Sequence, residues 1–404
     1  MTVSELMAAS SNFTETVRAE KLVAGGDALA HLADGRVVFV KGALPGETVV
    51  VGVHTSKRDF AQGIATSIVE SSTSRGVAPC PRLADGCGGC SWQHAQPDAQ
   101  LQWKTEIVAE ALQRIAKLAH PDVRVGAAVE PWHYRTTLRL AVADDGTVGL
   151  RAASSHRVVA IDDCLVAHPA LVELLPGLRV RGAEEISLRV SAATGEITAL
   201  AEAAGAQAMG LPASVRVGAD AVVHEEIAGV RLRVSAGSFF QSGPQAAELL
   251  VSNVRDACGD LLGPGGGPLL DAYGGVGLFA ATLALPAGMT AIVVESSESA
   301  CGDAAFNLGT SAEVVCSRVE DWTPQPVRII VADPSRVGLG RDGVGVLAAT
   351  AAERIVLVSC DAASLARDSQ LLAEAGYQHS GSTVLDIFPH TPHVEVVTRF
   401  DRSR

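Results

Sequence analysis

The 404-residue sequence has neither a long apolar run nor a basic leader. Its apolar stretches are interrupted by charges or glycines well short of the ~20 residues that a membrane-spanning helix needs. The first residues, Met1–Leu6, lack the basic stretch and apolar core of a secretory signal peptide. The sequence therefore predicts a soluble, cytoplasmic protein with no membrane partner.

Positive charge is also scarce. Lysine and arginine together number 32 against 45 aspartates and glutamates, which gives a net charge of −13 at pH 7. Because phosphate neutralisation needs cationic side chains, this balance argues against a general nucleic-acid binder. All five lysines lie within the first 117 residues, so a polyanion is predicted to dock mainly on the N-terminal portion.

Cysteine is too rare for a small domain stabilised by disulfides. The eight cysteines of a chain this long indicate a metal cluster, a catalytic thiol or buried apolar filler. With 48% hydrophobic residues, the chain can stabilise two or three domains through their own cores.

Short strand-like segments separated by glycine turns occupy residues 12–70. β-Branched and polar residues alternate in these segments, and Gly-Gly, Asp-Gly and Pro-Gly steps stand between them. The pattern predicts a small β-barrel, either an oligonucleotide-binding one or another small β domain.

Residues 71–240 are predicted to form a second, β-rich unit. It begins with a cysteine-bearing loop at 80–90 and continues with a helical repeat at 98–118. Strand-like runs such as Thr137–Val142 and Ile186–Val190 dominate the remainder.

The third unit, residues 241–404, alternates strand and helix patterns. Its apolar strand segments are 268–273, 290–295, 313–316, 328–333, 354–360, 382–387 and 393–400. Seven strands with helical segments between the early ones predict a doubly wound, Rossmann-like α/β sheet. The last two leave no room for a crossover helix, so they are predicted to pair as an antiparallel hairpin at the sheet edge.

A glycine-rich turn follows the first of these strands. Residues 271–280 read Asp-Ala-Tyr-Gly-Gly-Val-Gly-Leu-Phe-Ala and open a helix, so the backbone can approach a ligand closely. Glu295 ends the next strand, where its carboxylate can accept hydrogen bonds from both ribose hydroxyls. The order of the turn and the antiparallel hairpin favour S-adenosylmethionine, with a nicotinamide dinucleotide as the alternative.

Two segments near the C-terminus are candidates for catalysis. Ser-Cys-Asp-Ala-Ala-Ser-Leu-Ala-Arg-Asp at 359–368 contains Cys360, and Phe-Pro-His-Thr-Pro-His-Val-Glu occupies 388–395. By itself, Cys360 is either a nucleophile whose thiol pKa is lowered by the following helix N-terminus, or a buried apolar residue.

Together the two segments resemble the signatures of the RNA uracil-5-methyltransferase family, Ser-Cys-Asn-Pro-Ala-Thr-Leu-Ala-Arg-Asp and Phe-Pro-x-Thr-x-His-Val-Glu. The resemblance extends over nearly the whole chain. It implies an N-terminal TRAM barrel, a β-rich central domain and a class I methyltransferase domain, whose seven-stranded sheet has an antiparallel last strand.

The resemblance also implies a covalent mechanism. Addition of the Cys360 thiolate to carbon 6 of a uridine would make carbon 5 nucleophilic toward the methyl group of S-adenosylmethionine. Glu395 stands at the position of the family's base, which removes the carbon-5 proton. The alternative for Glu395 is a carboxylate on an edge strand with no catalytic part.

Four further residues match the family's donor-binding positions: Gln241, Tyr273, Glu295 and Asp333. Arg336, in Asp-Pro-Ser-Arg, is expected to help hold the substrate. The chain departs from the family's pattern at Ser242-Gly243, Ser335 and Asp361-Ala362. The departures bear on rate and substrate fit, because a carboxylate beside Cys360 would disfavour its thiolate.

Cys80, Cys87, Cys90 and Cys164 resemble the four-cysteine iron–sulfur site of many family members. Four thiolates suit a [4Fe–4S] cluster or tetrahedral zinc, and their spacing does not distinguish the two. The resemblance favours the [4Fe–4S] cluster, which would tie the 80–90 loop to the central unit. The remaining cysteines, Cys258, Cys301 and Cys316, are interpreted as apolar filler.

The predicted partner is RNA, through a uridine in a loop or single strand that can leave its stack. Analogy favours ribosomal over transfer RNA. The protein is predicted to be a monomer. Two alternatives stay open: a nicotinamide oxidoreductase, and a non-catalytic RNA-binding protein that retains a methyltransferase fold.

Overall fold

A computed structural model describes residues 13–403. Met1–Leu6, where no signal peptide is predicted, lie outside this range, as does residue 12 of the predicted barrel. Within the described residues, no helix is both long and apolar enough to cross a bilayer.

The N-terminal strands form one curled sheet. They are β1 (Phe13–Arg18), β2 (Lys21–Leu22), β3 (Ala28–His31), β4 (Val37–Lys41), β5 (Thr48–Ser56) and β6 (Phe60–Glu70). The hydrogen-bonded order is β1-β5-β6-β4-β3-β2, and β1 also contacts β3, so the ends of the sheet approach each other as in a barrel. Alternation along the strands buries side chains such as Val38, Val49 and Val51 inside it.

The middle of the chain is rich in short strands. They are β7 (Val123–Ala128), β8 (Thr137–Val142), β9 (Val148–Arg151), β10 (Val158–Ala160), β11 (Arg179–Arg181), β12 (Glu185–Val190), β13 (Ile197–Ala201), β14 (Gln207–Met209), β15 (Val215–Val217), β16 (Val222–Ile227) and β17 (Val230–Ser235). Helices α1 (Pro97–Arg114) and α2 (Pro169–Val172) accompany them. One sheet has the order β10-β9-β8-β12-β13-β15, and β11-β14 and β16-β17 form separate pairs.

The C-terminal part is a doubly wound sheet. Its strands are β18 (Leu269–Ala272), β19 (Ala291–Glu295), β20 (Ala312–Cys316), β21 (Ile329–Ala332), β22 (Arg354–Ser359), β23 (Tyr377–Asp386) and β24 (Glu395–Arg402). Its α-helices are α3 (Pro244–Cys258), α4 (Glu298–Leu308), α5 (Gly340–Ala349) and α6 (Ala362–Glu374), with a π-helical turn at Ala280–Ala284. Short 3-10 turns lie at Pro81–Leu83, Gly259–Leu261, Gly309–Ser311 and Val319–Asp321.

Strands β18 to β22 are parallel, and β24 pairs antiparallel with both β22 and β23, as predicted. The prediction that this hairpin forms the sheet edge is wrong. Strand β7 pairs in parallel with β23 and adds an eighth strand, which gives the order β20-β19-β18-β21-β22-β24-β23-β7.

Both faces of this sheet are buried, as expected for a parallel sheet. Leu269, Val331 and Val356 belong to a core shared with the central sheet. Leu270 and Ile330 point the other way, into a core shared with the barrel and α1. Helix α1 packs on β7, β23 and α6, so a helix from the predicted central unit covers the C-terminal sheet. The predicted unit boundaries at 70 and 240 stay predictions.

The barrel meets the C-terminal loops at Gly26. A Cβ atom at Gly26 would lie 2.7 Å from Cβ of Pro392 and 2.9 Å from Nε1 of Trp92, whereas one at Gly25 would meet nothing within 4 Å. Both glycines have φ of +93°, so alanine at either position carries the same backbone strain.

We expect Gly25→Ala to lower the free energy of unfolding by about 1–2 kcal/mol through backbone strain alone. Gly26→Ala should cost about 1–3 kcal/mol more, because the methyl group overpacks the contact with Pro392 and Trp92. Urea denaturation of the two variants measures the difference. An equal loss of unfolding free energy in both variants would show that the barrel is not tightly packed against this loop.

Candidate active site

The predicted site residues converge at one edge of the C-terminal sheet. The carboxyl ends of β18, β19, β21 and β22 lie side by side because these strands are parallel. The glycine-rich turn, Glu295, Asp333 and Cys360 follow or end these four strands. Loops at such an edge are where doubly wound sheets bind ligands.

Gln241, Tyr273 and Asp333 line one cavity of about 50 Å³, together with Gly274 and Gly275 of the turn. Nε2 of Gln241 donates a hydrogen bond of 3.2 Å to the Asp333 carboxylate. The structure therefore brings these three predicted donor-binding residues together.

Glu295 belongs to the same arrangement. Its carboxylate accepts hydrogen bonds from the backbone N–H groups of Gly275 (2.9 Å), Ser296 (2.7 Å) and Ser297 (2.7 Å). These bonds fix the glycine-rich turn relative to β19, and the Glu295 side chain is partly exposed.

Tyr273 owes its position to a residue that the motifs did not reveal. Its backbone is left-handed, with φ of 58°, and its hydroxyl donates to Oε1 of Glu320 at 2.8 Å. The hydroxyl is therefore engaged by Glu320, and the ring is the part of Tyr273 available to a ligand.

Buried charges hold the segment that carries Gln241. The Arg189 guanidinium donates to the carbonyls of Ser235 (2.8 Å) and Ser238 (2.6 Å). The Asp303 carboxylate accepts from the hydroxyls of the same two serines, at 2.8 and 2.6 Å. Arg189 and Asp303 have no local motif and are far from Gln241 in the chain, so sequence reasoning missed them.

Cys360 lies between β22 and α6, as predicted, but its electrostatic setting differs from the prediction. Burial, and then the charges of Glu395 and Asp333, raise the pKa of the Cys360 thiol to about 12. The net pKa is therefore raised and not lowered as the nucleophile interpretation expected, because burial and the two carboxylates outweigh the Arg336 charge and the backbone hydrogen bond that lower it.

The Asp361 carboxylate caps helix α6. It accepts hydrogen bonds from the N–H groups of Ala363 (3.0 Å) and Ser364 (2.8 Å). An asparagine could accept the same bonds, so this departure from the family pattern retains the helix start that follows Cys360.

Glu395 is the neighbour of Cys360 across the β22–β24 pairing, where Ser359 lies opposite Val396. Burial and the charge of Asp333 raise the pKa of Glu395 well above its usual range. Burial likewise raises the pKa of Asp333 to about 7. The Arg336 guanidinium opposes these effects at Cys360, where its charge favours the thiolate.

A groove of about 420 Å³ reaches this site from the surface. Arg135, Arg139, Phe239, Gln241 and Phe388 are among the residues that line it. Phe239 is 71% exposed, which is unusual for a large aromatic side chain and leaves its ring open to a ligand.

The four cysteines predicted to bind a cluster line one small, apolar cavity of about 30 Å³. Burial raises the pKa of the Cys87 and Cys164 thiols, and that of Cys90 to about 11. An ion pair between Arg82 and Asp162 joins the two segments that carry them. Among residues 13–403, no three or more His, Cys, Asp or Glu side chains are grouped so as to hold a single metal ion.

Cys301 and Cys316 form a disulfide, with their Cα atoms 5.8 Å apart. Their interpretation as separate apolar filler is therefore wrong: the pairing of β19 with β20 brings Cys316 beside the start of α4. Cys258 is fully buried in the core and agrees with the filler interpretation.

Comparison with known proteins identifies the family. The TRAM domain model matches residues 14–66, within the predicted barrel. An uncharacterized RNA methyltransferase of Streptomyces avermitilis is 36% identical over 92% of this chain and 94% of its own length. One of Streptomyces coelicolor is 37% identical over 92% of this chain and 89% of its own. The chain belongs to the RNA methyltransferase family.

The fold of this RNA methyltransferase matches a solved structure over nearly its whole length. The tRNA (uracil-54, C5)-methyltransferase of Pyrococcus abyssi, solved in complex with S-adenosyl-L-homocysteine, superposes with a TM-score of 0.70. It is 24% identical and covers 95% of this chain and 99% of its own. The likeness confirms the predicted fold class, a class I methyltransferase domain with an N-terminal barrel.

We expect the raised pKa of Cys360 to make the free RNA methyltransferase nearly inert to iodoacetamide at pH 8. A thiol with a pKa of about 12 should react there roughly 100-fold or more slowly than an ordinary cysteine, and its rate should rise with each pH unit. Mass spectrometry of the Cys360 peptide measures this rate.

Glu395→Gln serves as the matched control, because it removes one charge that raises the thiol pKa. Its alkylation profile should shift to lower pH. A wild-type rate that already levels off below pH 8 would contradict the raised pKa.

Proposed function

We propose that this RNA methyltransferase transfers a methyl group from S-adenosylmethionine to carbon 5 of a uridine, through a covalent adduct with Cys360. The observation that carries the proposal is the pairing of β22 with β24, which sets Cys360 beside Glu395 at the edge that also holds the donor cavity. The uracil-5 activity of the solved enzyme with the same fold supports it.

Cys360 and Glu395 have complementary parts in this chemistry. Cys360 attacks carbon 6 as the thiolate, after its thiol proton has been lost to solvent, and pushes electron density to carbon 5. Carbon 5 then takes the methyl group, and the broken bond leaves its electrons on the donor sulfur, so that S-adenosyl-L-homocysteine departs. Glu395 next removes the carbon-5 proton; the electrons of that C–H bond re-form the C5–C6 double bond and expel the Cys360 sulfur.

The residues of the donor cavity fit S-adenosylmethionine. Gln241, Tyr273 and Asp333 line the cavity, and Glu295, which is bonded to Gly275 of the same turn, can accept bonds from ribose hydroxyls. S-adenosylmethionine supplies a methyl group on a positively charged sulfonium. An ionised Asp333 would attract that charge, and a positive charge bound in this cavity would lower the pKa values of Cys360 and Glu395, which are raised in the free protein.

The groove beside Gln241 is the proposed path of the RNA. Arg135 offers positive charge to phosphates, whereas Arg139 is already paired with Glu185 and Glu202. The exposed ring of Phe239 offers a surface on which a base can stack. The TRAM barrel supplies a second RNA-binding surface. The expectation of ribosomal over transfer RNA stays a prediction, as do the cytoplasmic location and the monomeric state.

We further propose that Cys80, Cys87, Cys90 and Cys164 hold a [4Fe–4S] cluster. Four thiols around an apolar cavity supply the ligands that such a cluster requires. The cluster would join the 80–90 loop to the segment containing Cys164.

The covalent mechanism is tested with RNA that contains 5-fluorouridine. In 5-fluorouridine, fluorine replaces the carbon-5 hydrogen that Glu395 would remove as a proton, so the last step is blocked. The enzyme should then stall as a protein–RNA adduct that requires both S-adenosylmethionine and Cys360. Denaturing gels of the wild type and Cys360→Ala, with ribosomal and transfer RNA fragments, measure the adduct. RNA binding without any adduct would favour the non-catalytic alternative, and tight binding of a nicotinamide dinucleotide would favour the oxidoreductase.

The cluster is tested by its iron content. Protein purified without oxygen should contain about four iron atoms per chain. Cys87→Ser should lose them, whereas Cys258→Ala, which alters a buried cysteine outside the cavity, should keep them. Iron analysis and the visible spectrum measure the outcome, and a colourless, iron-free wild type would contradict the assignment.

A further inference from the structure

Lys104 is a fully buried lysine in the middle of helix α1. Lysines are almost never fully buried unless they are paired. Nζ of Lys104 donates to Oδ1 of Asp386 at 2.6 Å and to the carbonyl of Phe388 at 3.1 Å. Asp386 is itself buried and accepts from the N–H of Phe388 at 3.2 Å. One ammonium group therefore binds the start of the loop between β23 and β24.

Gln100 lies one turn earlier on the same face of α1 and binds the same loop. Its Oε1 accepts from the N–H of His390 at 2.7 Å, and its Nε2 donates to the Ala95 carbonyl at 2.8 Å. The carbonyl of His390 in turn accepts from the N–H groups of Ser91 and Trp92, both at 2.9 Å.

His390 is held in an uncommon conformation. Its φ is 65°, in the left-handed region that a non-glycine residue rarely adopts. Its ring stacks on Trp132 with centroids 4.1 Å apart. Such a conformation persists where surrounding contacts impose it, and the contacts here come from Gln100, Ser91 and Trp92.

The loop held in this way contributes to the site at both ends. Phe388 lines the groove beside Gln241. At the far end, Leu385 pairs with Glu395 across the last rung of β23 and β24. Between them, Nε2 of His393 lies 3.3 Å from the Arg336 guanidinium.

We propose that Lys104 and Gln100 are positioning residues for the reaction, which hold the Asp386–His390 segment so that Phe388 and Glu395 face the target uridine. The inference rests on the proposed function. Neither residue lines the donor cavity, so their loss should impair the use of RNA and leave binding of the methyl donor unchanged.

If the Lys104–Asp386 ion pair only stabilised the fold, a different result would be expected. Removing one partner of a buried pair leaves an uncompensated charge, whereas replacing both partners with apolar residues of similar size often restores stability. The double variant Lys104→Met with Asp386→Leu therefore separates the two roles, because it removes the buried charges and also the bond to the Phe388 carbonyl.

The experiment compares the wild type, Lys104→Met, the double variant and Gln100→Ala. Calorimetry with S-adenosyl-L-homocysteine counts folded donor sites, hydrogen exchange follows the amides of 387–394, and gels follow adduct formation on 5-fluorouridine RNA. Glu110→Gln is the control, because it weakens an ion pair of the same helix with Lys21, away from this loop.

We expect the double variant and Gln100→Ala to bind S-adenosyl-L-homocysteine as the wild type does. Their loop amides should exchange faster, and adduct formation per folded site should slow by roughly 10- to 100-fold, because a small misplacement of reacting groups is costly. Glu110→Gln should match the wild type in all three measurements.

Wild-type adduct formation in the double variant would overturn the proposal and reduce the pair to a stabilising contact. If the double variant does not fold, Gln100→Ala tests the positioning role by itself, since its loss leaves no buried charge without a partner. If the wild type itself forms no adduct, the proposed function fails separately. Hydrogen exchange then still decides whether Lys104 and Gln100 hold the loop, and unchanged protection in their variants would overturn the inference.

Discussion

Strand β24 runs antiparallel between β22 and β23, and the active site depends on this insertion. The parallel strands bring the donor cavity to the carboxyl edge of the sheet, but they supply only one of the two groups that the proposed chemistry needs. Because β24 enters the sheet at that edge, its first residue, Glu395, lies beside Cys360. The proposed nucleophile and the proposed base therefore lie on strands that run in opposite directions, and they meet where β22 ends and β24 begins.

Charged side chains buried in helices and central strands fix the loops around this pair. Asp303 and Arg189 hold the segment before Gln241, and Asp368 accepts from the N–H groups of Leu339 and Gly340, beyond the loop that carries Arg336. Burying a charge is costly unless it is fully bonded. Each of these groups meets that condition with bonds to loop backbone or to adjoining hydroxyls, which sets the loop geometry.

Motifs predicted Cys360, Glu395 and the donor residues, and the missing crossover helix predicted the antiparallel hairpin. Strand β7 escaped prediction because its alternation is weak and nothing local indicates a partner more than 250 residues away in the chain. The sequence indicated two opposite influences on the thiol pKa of Cys360, a helix start that lowers it and a neighbouring carboxylate that raises it. The burial and the Glu395 and Asp333 charges that raise this pKa arise only on folding.

The contact at Gly26 limits which RNA-binding domains could replace the barrel in this protein. The barrel, the segment just after the 80–90 loop and the loop between β23 and β24 meet there through Gly26, Trp92 and Pro392, and Nε1 of Trp92 donates to the Gly26 carbonyl. A different RNA-binding module grafted in place of the barrel would have to reproduce a residue without a side chain at this point. Exchanging the barrel to alter RNA specificity therefore requires redesign of this junction.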